Sequence, residues 1–399
     1  MIYLDNAATS FPKAPGVGQA TMDFIAHDAA NPGRAGHRMA VAAEQMLDAL
    51  RLKLTRLFNG ADHERMVFTL NGTDALNIAI KGVVGAFSEK GGAQGQTPHV
   101  VTTVLEHNSV SRPLQAMADA GTITLDRVTC DDDGVVDPAA IAAAFTPETK
   151  LVALTHASNV TGTVQDAAAV GAHCRAAGVL FLLDAAQTAG VVPVDIDAMQ
   201  IDLLAFPGHK SLLGPTGTGA LYVGERCPGP GDAVAAGRFA PFREGGTGGD
   251  SSTPTQPTLL PYYLEGGTPN TVGLAGLAAG VDHVLATPLA DVLAHEQALC
   301  GRLIEAFAGD ERFRVLGTTD ASKRVGTVSL TVEGFDAPDV GSILDDSFEI
   351  AVRPGLHCSP YAHQRFGTLP DGAVRVSPGA FSTADEMDQL IAALGEIAG

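Results

Sequence analysis

Positive charge is scarce in this 399-residue chain: 25 Lys+Arg stand against 45 Asp+Glu, a formal net charge of −20. Binding a nucleic-acid backbone needs a basic face, and this balance excludes nucleic acid as an expected partner. An acidic, solubilising surface accounts for the surplus. No apolar run reaches the roughly 18 residues of a membrane span, so no membrane partner is expected. The start, Met1-Ile2-Tyr3-Leu4-Asp5-Asn6, lacks the basic region and apolar stretch of a signal peptide, and a cytoplasmic location is the expectation. Paired cysteines are missing too. Cys130, Cys174, Cys227, Cys300 and Cys358 are odd in number, scattered and without a C-x-x-C, which fits neither a disulfide framework nor a zinc site. His357, Cys358 and His363 offer three candidate ligands in one loop without a fourth, so no metal is expected.

What the chain has is alternation. Met66–Leu70, Val100–Val104, Ile123–Val128, Leu151–His156, Val179–Asp184, Leu203–Phe206 and Ala220–Val223 read as strands, with helical stretches such as Ala75–Phe87, Val110–Asp119 and Asp166–Ala176 between them. The run Val179-Leu180-Phe181-Leu182-Leu183 predicts a strand buried on both faces, as in a mostly parallel sheet. The fold class is α/β, whose ligands sit beyond the carboxyl ends of the strands. Polar groups follow five of those ends: Asn71-Gly72-Thr73-Asp74, Glu106-His107-Asn108, Ser158-Asn159, Asp184-Ala185-Ala186-Gln187 and Gly208-His209-Lys210. Phe239–Gly267, rich in Gly, Pro, Ser and Thr and including Glu244–Ser251, breaks the alternation; a loop this long is often a binding element. Helices over Thr271–Leu285 and Leu289–Phe307 follow, then Arg324–Val332, Pro338–Ser347, Ile350–Arg353, Ala373–Ser377 and Thr383–Ile397 as a smaller α/β unit.

Most lysines are solvated surface charges. Lys210 instead follows an apolar strand and precedes the Gly/Pro-rich turn Gly214-Pro215-Thr216-Gly217, where a held amine can form a Schiff base with an aldehyde cofactor. Such a cofactor needs an acid against its ring nitrogen. Asp184, ending the most apolar strand, suits that role, and positions 184 and 210 leave room for one helix and one strand. A phosphate needs amide donors at a helix start, which Gly72-Thr73-Asp74 can supply. The glycine-rich Gly214–Gly219 lacks the Gly-Lys-Ser/Thr ending of a P-loop and leads into a strand, a weak nucleotide signal.

Tyr3-Leu4-Asp5-Asn6-Ala7-Ala8-Thr9, Asn71-Gly72-Thr73, Glu106-His107-Asn108, Ser158-Asn159, Asp184-Ala185-Ala186-Gln187, Gly208-His209-Lys210, Gly267-Thr268-Pro269-Asn270 and Arg353-Pro354-Gly355-Leu356-His357-Cys358 together resemble class V aminotransferases, and within them the cysteine desulfurase and selenocysteine lyase family. The resemblance implies a fold-type-I transferase dependent on pyridoxal 5'-phosphate (PLP): a large domain, 15–287, with a mostly parallel sheet, and a smaller α/β C-terminal domain, 288–399 with 1–14, carrying the Cys358 loop. It also implies roles. Lys210 would hold the cofactor and move the Cα proton, Asp184 would pair with the ring nitrogen, and His107 would stack on the ring. Gln187 and Asn159 would lie near the phenolic oxygen, and Gly72, Thr73 and His209 would bind phosphate. Thr268 would reach the phosphate of the other subunit in a homodimer with shared sites. Asn159 would face the substrate, and Arg353 and Arg375 would receive its carboxylate, a role suited to a planar guanidinium.

In that family a cysteine at the position of Cys358 takes sulfur from L-cysteine as a persulfide, leaving L-alanine. The neighbouring His357 and an arginine are expected to favour its thiolate. A sulfur-acceptor protein would then be a partner. The alternative is a selenocysteine lyase, or another class V lyase or aminotransferase acting on a small amino acid. Two residues depart from the family pattern: Pro207 stands where relatives offer the phosphate a hydroxyl, and Pro354 where many have Thr.

Overall fold

The structure, a computed structural model, describes residues 1–33, 36–88, 97–227, 239–248, 252 and 254–399. Strand β1 (Ile2–Tyr3) opens the chain. Seven strands then build one sheet: β2 (Met66–Thr69), β3 (His99–Thr103), β4 (Thr124–Val128), β5 (Thr149–Thr155), β6 (Leu180–Asp184), β7 (Leu203–Pro207) and β8 (Gly219–Val223). Their order is β2-β8-β7-β6-β5-β3-β4, with β8 antiparallel to both neighbours and the other pairings parallel. The expected strand bounds hold to within two residues, ordinary fraying. The stretch between β6 and β7 forms turns with no helix. The described part of Phe239–Gly267 carries no helix or strand; Gly249-Asp250-Ser251 and Thr253 lie outside the described residues.

Alternation along the central strands explains the layers. Leu151 and Ala153 of β5 and Leu180 and Leu182 of β6 pack into one core with Leu76, Val83 and Leu114. Val152, Leu154, Phe181 and Leu183 face the opposite core with Leu50, Leu54 and Val170. All five residues of β6 are buried, as a strand covered on both faces requires; a cavity-forming Leu182→Ala would cost about 2–5 kcal/mol.

A third core, with Leu4, Leu303, Leu330, Val374 and Leu390, lies under a four-stranded antiparallel sheet. Its strands are β9 (Phe313–Val315), β10 (Val328–Val332), β12 (Arg353–Gly355) and β13 (Ala373–Val376), in the order β12-β13-β10-β9. The single strand expected over Ile350–Arg353 is split. Its first half, β11 (Ile350–Ala351), pairs parallel with β1, whereas Arg353 onward pairs with β13. The chain changes sheets at Val352, which hydropathy alone does not mark. Likewise the strand expected from Arg324 begins only at Val328, because Ala321–Lys323 is a 3-10 turn and the Arg324 side chain is spent on the Leu316 and Thr327 carbonyls.

Candidate active site

A cavity of about 290 Å³ opens beyond the carboxyl ends of the parallel strands. After β2, Asn71 caps the helix Gly72–Ser88 by accepting from the Asp74 amide (2.9 Å), which leaves the Gly72 and Thr73 helix start on the cavity wall. A β-carbon on Gly72 would come within 3.3 Å of Pro207. After β3, His107 caps the helix Asn108–Asp119. Asn159 follows β5, Asp184 ends β6 with Gln187 in the turn beyond it, and His209 and Lys210 follow β7. The antiparallel sheet adds Arg353 and Arg375, and the loop after β12 adds Cys358. Thr268 is not among them; it lines a separate cavity of about 320 Å³ with Arg51 and Glu265.

Burial sets the charges. It pushes the Lys210 ammonium down to about 8, against the pull of Asp184. The Asp184 carboxyl is raised by burial and partly restored by the Ala186 amide (2.9 Å) and Lys210. Burial, with Lys210 and Arg375 nearby, pushes His107 down to about 4, so its ring is neutral at pH 7. His107 Nδ1 accepts the Ser109 amide (3.0 Å), leaving the proton on Nε2. His209 is lowered to about 4 by burial and Lys210, and its buried Nδ1 has no hydrogen-bond partner. The backbone around Lys210 is fixed: Gly208 donates to Thr218 O (2.9 Å), and Leu213 donates to Lys210 O (2.7 Å).

The Cys358 side is built differently. Cys358 is the one exposed cysteine, and it precedes the short helix Pro360–Arg365. His357 and Cys358 both have left-handed backbones, φ 50° and 57°, which cost on the order of 1–2 kcal/mol each. The expectation that His357 supplies positive charge to the thiol is corrected. Burial and Arg375 push its ring down to about 3. Both ring nitrogens are occupied as well, Nε2 with Arg353 O (2.9 Å) and Nδ1 with His363 Nε2 (3.2 Å). A neutral, tethered imidazole organises the loop and does not charge it.

Two residues have surroundings to which the sequence reading assigned no role. Asp5 binds Arg375 Nη2 (2.8 Å) and lies 3.6 Å from Arg353 Nη1. The two guanidiniums therefore share one carboxylate and keep a net charge of about +1 for an anion. The signal was present in Tyr3-Leu4-Asp5-Asn6, but nothing local assigns Asp5 a partner some 370 residues away. Glu106 is fully buried, accepts from Thr103 Oγ1 (2.8 Å) and the Thr155 amide (3.0 Å), and is pushed up to about 8 by burial. Its other oxygen is unpartnered.

An amine lowered toward neutrality, a buried acid, a helix start and an unpartnered histidine nitrogen line one cavity at the strand ends of this α/β protein. Comparison with known proteins narrows the class. The Aminotransferase class-V family profile matches residues 2–390. A probable cysteine desulfurase of Methanothermobacter thermautotrophicus is 32% identical over all of this chain and 95% of its own. The cysteine desulfurase of Serratia proteamaculans is 31% identical over 100% and 93%. Among solved structures, the cysteine desulfurase of Thermococcus onnurineus superposes with a TM-score of 0.90 at 30% identity, covering 100% of this chain and 94% of that one. The chain belongs to the class-V aminotransferase family.

Proposed function

We propose that this protein is a PLP-dependent cysteine desulfurase, converting L-cysteine to L-alanine and taking the sulfur onto Cys358 as a persulfide. The observation that carries the reading is an exposed thiol on the wall of a cavity that also holds Lys210 and Asp184. The names of the full-length relatives support it.

The residues present fit the cofactor: Lys210 would hold it covalently, Asp184 would meet the ring nitrogen, and His107 would cover a ring face. Gln187 and Asn159 would lie near the phenolic oxygen. Gly72, Thr73 and the unpartnered His209 Nδ1 would take the phosphate. Bound there, PLP supplies a sink for the electron pair left at the substrate's α carbon. Arg353 and Arg375 would orient the substrate carboxylate, and Lys210 would carry the Cα proton. As a bond forms between Cys358 Sγ and the substrate sulfur, the carbon–sulfur bond breaks. Its electron pair stays on carbon, which gains a proton to become the alanine methyl group. Cysteine and one thiol thus become alanine and one persulfide, with no outside oxidant.

The reading includes two domains, 15–287 and 288–399 with 1–14; the β1–β11 pairing and Leu4 in the third core support placing the N-terminus with the small one. It includes a homodimer, because Thr268 lies apart from its own chain's Lys210 cavity and the exposed Met22, Ile25, Met39 and Val41 offer apolar surface. A sulfur-acceptor protein would meet Cys358. The decisive assay incubates PLP-loaded protein with a panel of amino acids, including L-cysteine and L-selenocysteine, and measures alanine, sulfide, selenide and keto acid. With a thiol reductant present to release the persulfide's outer sulfur, L-cysteine should yield alanine and sulfide in equal amounts. Keto acid without sulfide would instead mean an aminotransferase, and turnover of selenocysteine alone a selenocysteine lyase.

A further inference from the structure

Asn159 grips the Cys358 segment with both ends of its carboxamide. Nδ2 donates to the His357 carbonyl (2.6 Å), and Oδ1 accepts from the Ser359 hydroxyl (2.7 Å). These bonds straddle Cys358, whose own carbonyl accepts the Asn108 amide (2.7 Å). The gripped backbone is left-handed at His357 and Cys358, a shape that persists only while surrounding contacts impose it. Asn159 is also tied to the carboxylate-binding end of the cavity, since its backbone carbonyl accepts from Arg375 Nη1 (3.1 Å). One residue therefore joins the place where an amino acid would be held to the segment that carries the thiol. A carboxamide has two N–H groups and one oxygen, and this segment draws on both kinds.

We infer that Asn159 is a latch, a positioning residue that pins the His357–Ser359 segment, and that an amino acid bound at Arg375 loosens it and frees the Cys358 thiol to move. The inference rests on the proposed desulfurase reading for the identity of that ligand, whereas the pinning is a property of the chain alone.

Hydrogen exchange across residues 356–366 tests it. Ser359→Ala removes one latch bond at a residue outside the cavity wall. In cofactor-free protein it should speed exchange of this segment about fivefold, the scale of one lost hydrogen bond, while the central sheet is unchanged. L-alanine added to PLP-loaded wild type should speed the same segment by a similar factor, with little further effect in Ser359→Ala. A merely structural serine would give the first result without the L-alanine dependence. Asn159→Asp, which keeps the acceptor but loses the donor to His357, should also loosen the segment and serves if Ser359→Ala does not fold. Unchanged exchange in the variants, or L-alanine that shifts the cofactor absorbance without changing exchange, overturns the latch. Failure of PLP to bind would instead overturn the desulfurase reading, with the cofactor-free comparison still deciding whether Asn159 pins the segment.

Discussion

Asp184 ends and Lys210 follows a strand buried on both faces, whereas Cys358 is exposed between buried His357 and Ser359, on a turn with two successive left-handed residues. The first pair is held by the sheet and by backbone bonds such as Gly208 to Thr218. The Cys358 turn is held by borrowed side chains: Asn159 on its backbone and the His357–His363 contact behind it. A cofactor ring needs fixed partners, since misplacement by an ångström is costly in catalysis. On the proposed reading, a thiol that accepts sulfur at one place and delivers it at another would need a support that can let go. The difference in construction thus matches a division of labour between holding and carrying.

The comparison breaks most readily on the rigid side. Lys210→Ala should lower turnover by at least about 10²–10⁴-fold, the scale of a lost general acid–base. Borohydride reduction of wild type followed by peptide mapping should put the pyridoxyl label on Lys210; a label on another lysine would remove the rigid half's central member. Because the Lys210 ammonium is lowered to about 8, its base form grows as pH rises through that value. The rate at which added PLP forms its Schiff base with the cofactor-free protein should therefore climb between about pH 7 and 9.

A smaller effect concerns stability. Glu106 binds its proton more tightly folded than unfolded, about 8 against the ordinary 4.5. The folded state holds the extra proton between those values, so this group's contribution is full below pH 4.5 and is lost as pH rises through about 8. Glu106→Gln should lessen that slope in urea titrations across this window; an unaltered slope would mean that the buried carboxyl does not titrate as described.

Two further changes sharpen the phosphate end. Thr268→Ala should weaken PLP retention by roughly 1.5–3 kcal/mol if its hydroxyl reaches the partner's phosphate, and sedimentation should find a dimer; a fully active monomer would contradict both. Pro207→Ser, restoring a hydroxyl on the cavity wall, should tighten PLP modestly in an equilibrium titration. Weaker binding would mean that the proline matters for fixing the end of β7.

The rigid half is the half that sequence makes legible. Val179–Leu183 announces a doubly buried strand, and polar residues after five strands announce the cavity edge before any fold is seen. The carrying half is legible only through resemblance. The helices Val17–His27 and Arg38–Leu57 lie outside the strand–helix alternation that gave the sheet away. The neutrality of His357 depends on burial by residues distant in sequence, and the Asp5 pairing with Arg375 spans nearly the whole chain. Sheet switching at Val352 follows from pairing with the N-terminal strand, a long-range event with no local signature.

The most direct test is mass spectrometry of PLP-loaded protein after a short exposure to L-cysteine, alongside Cys358→Ala. Without reductant, one added sulfur should appear on the peptide containing Cys358; with a thiol reductant supplied, the variant should keep PLP yet lose nearly all sulfide release. Added sulfur on another cysteine, or a Cys358→Ala protein that forms alanine and sulfide at the wild-type rate, would contradict the account.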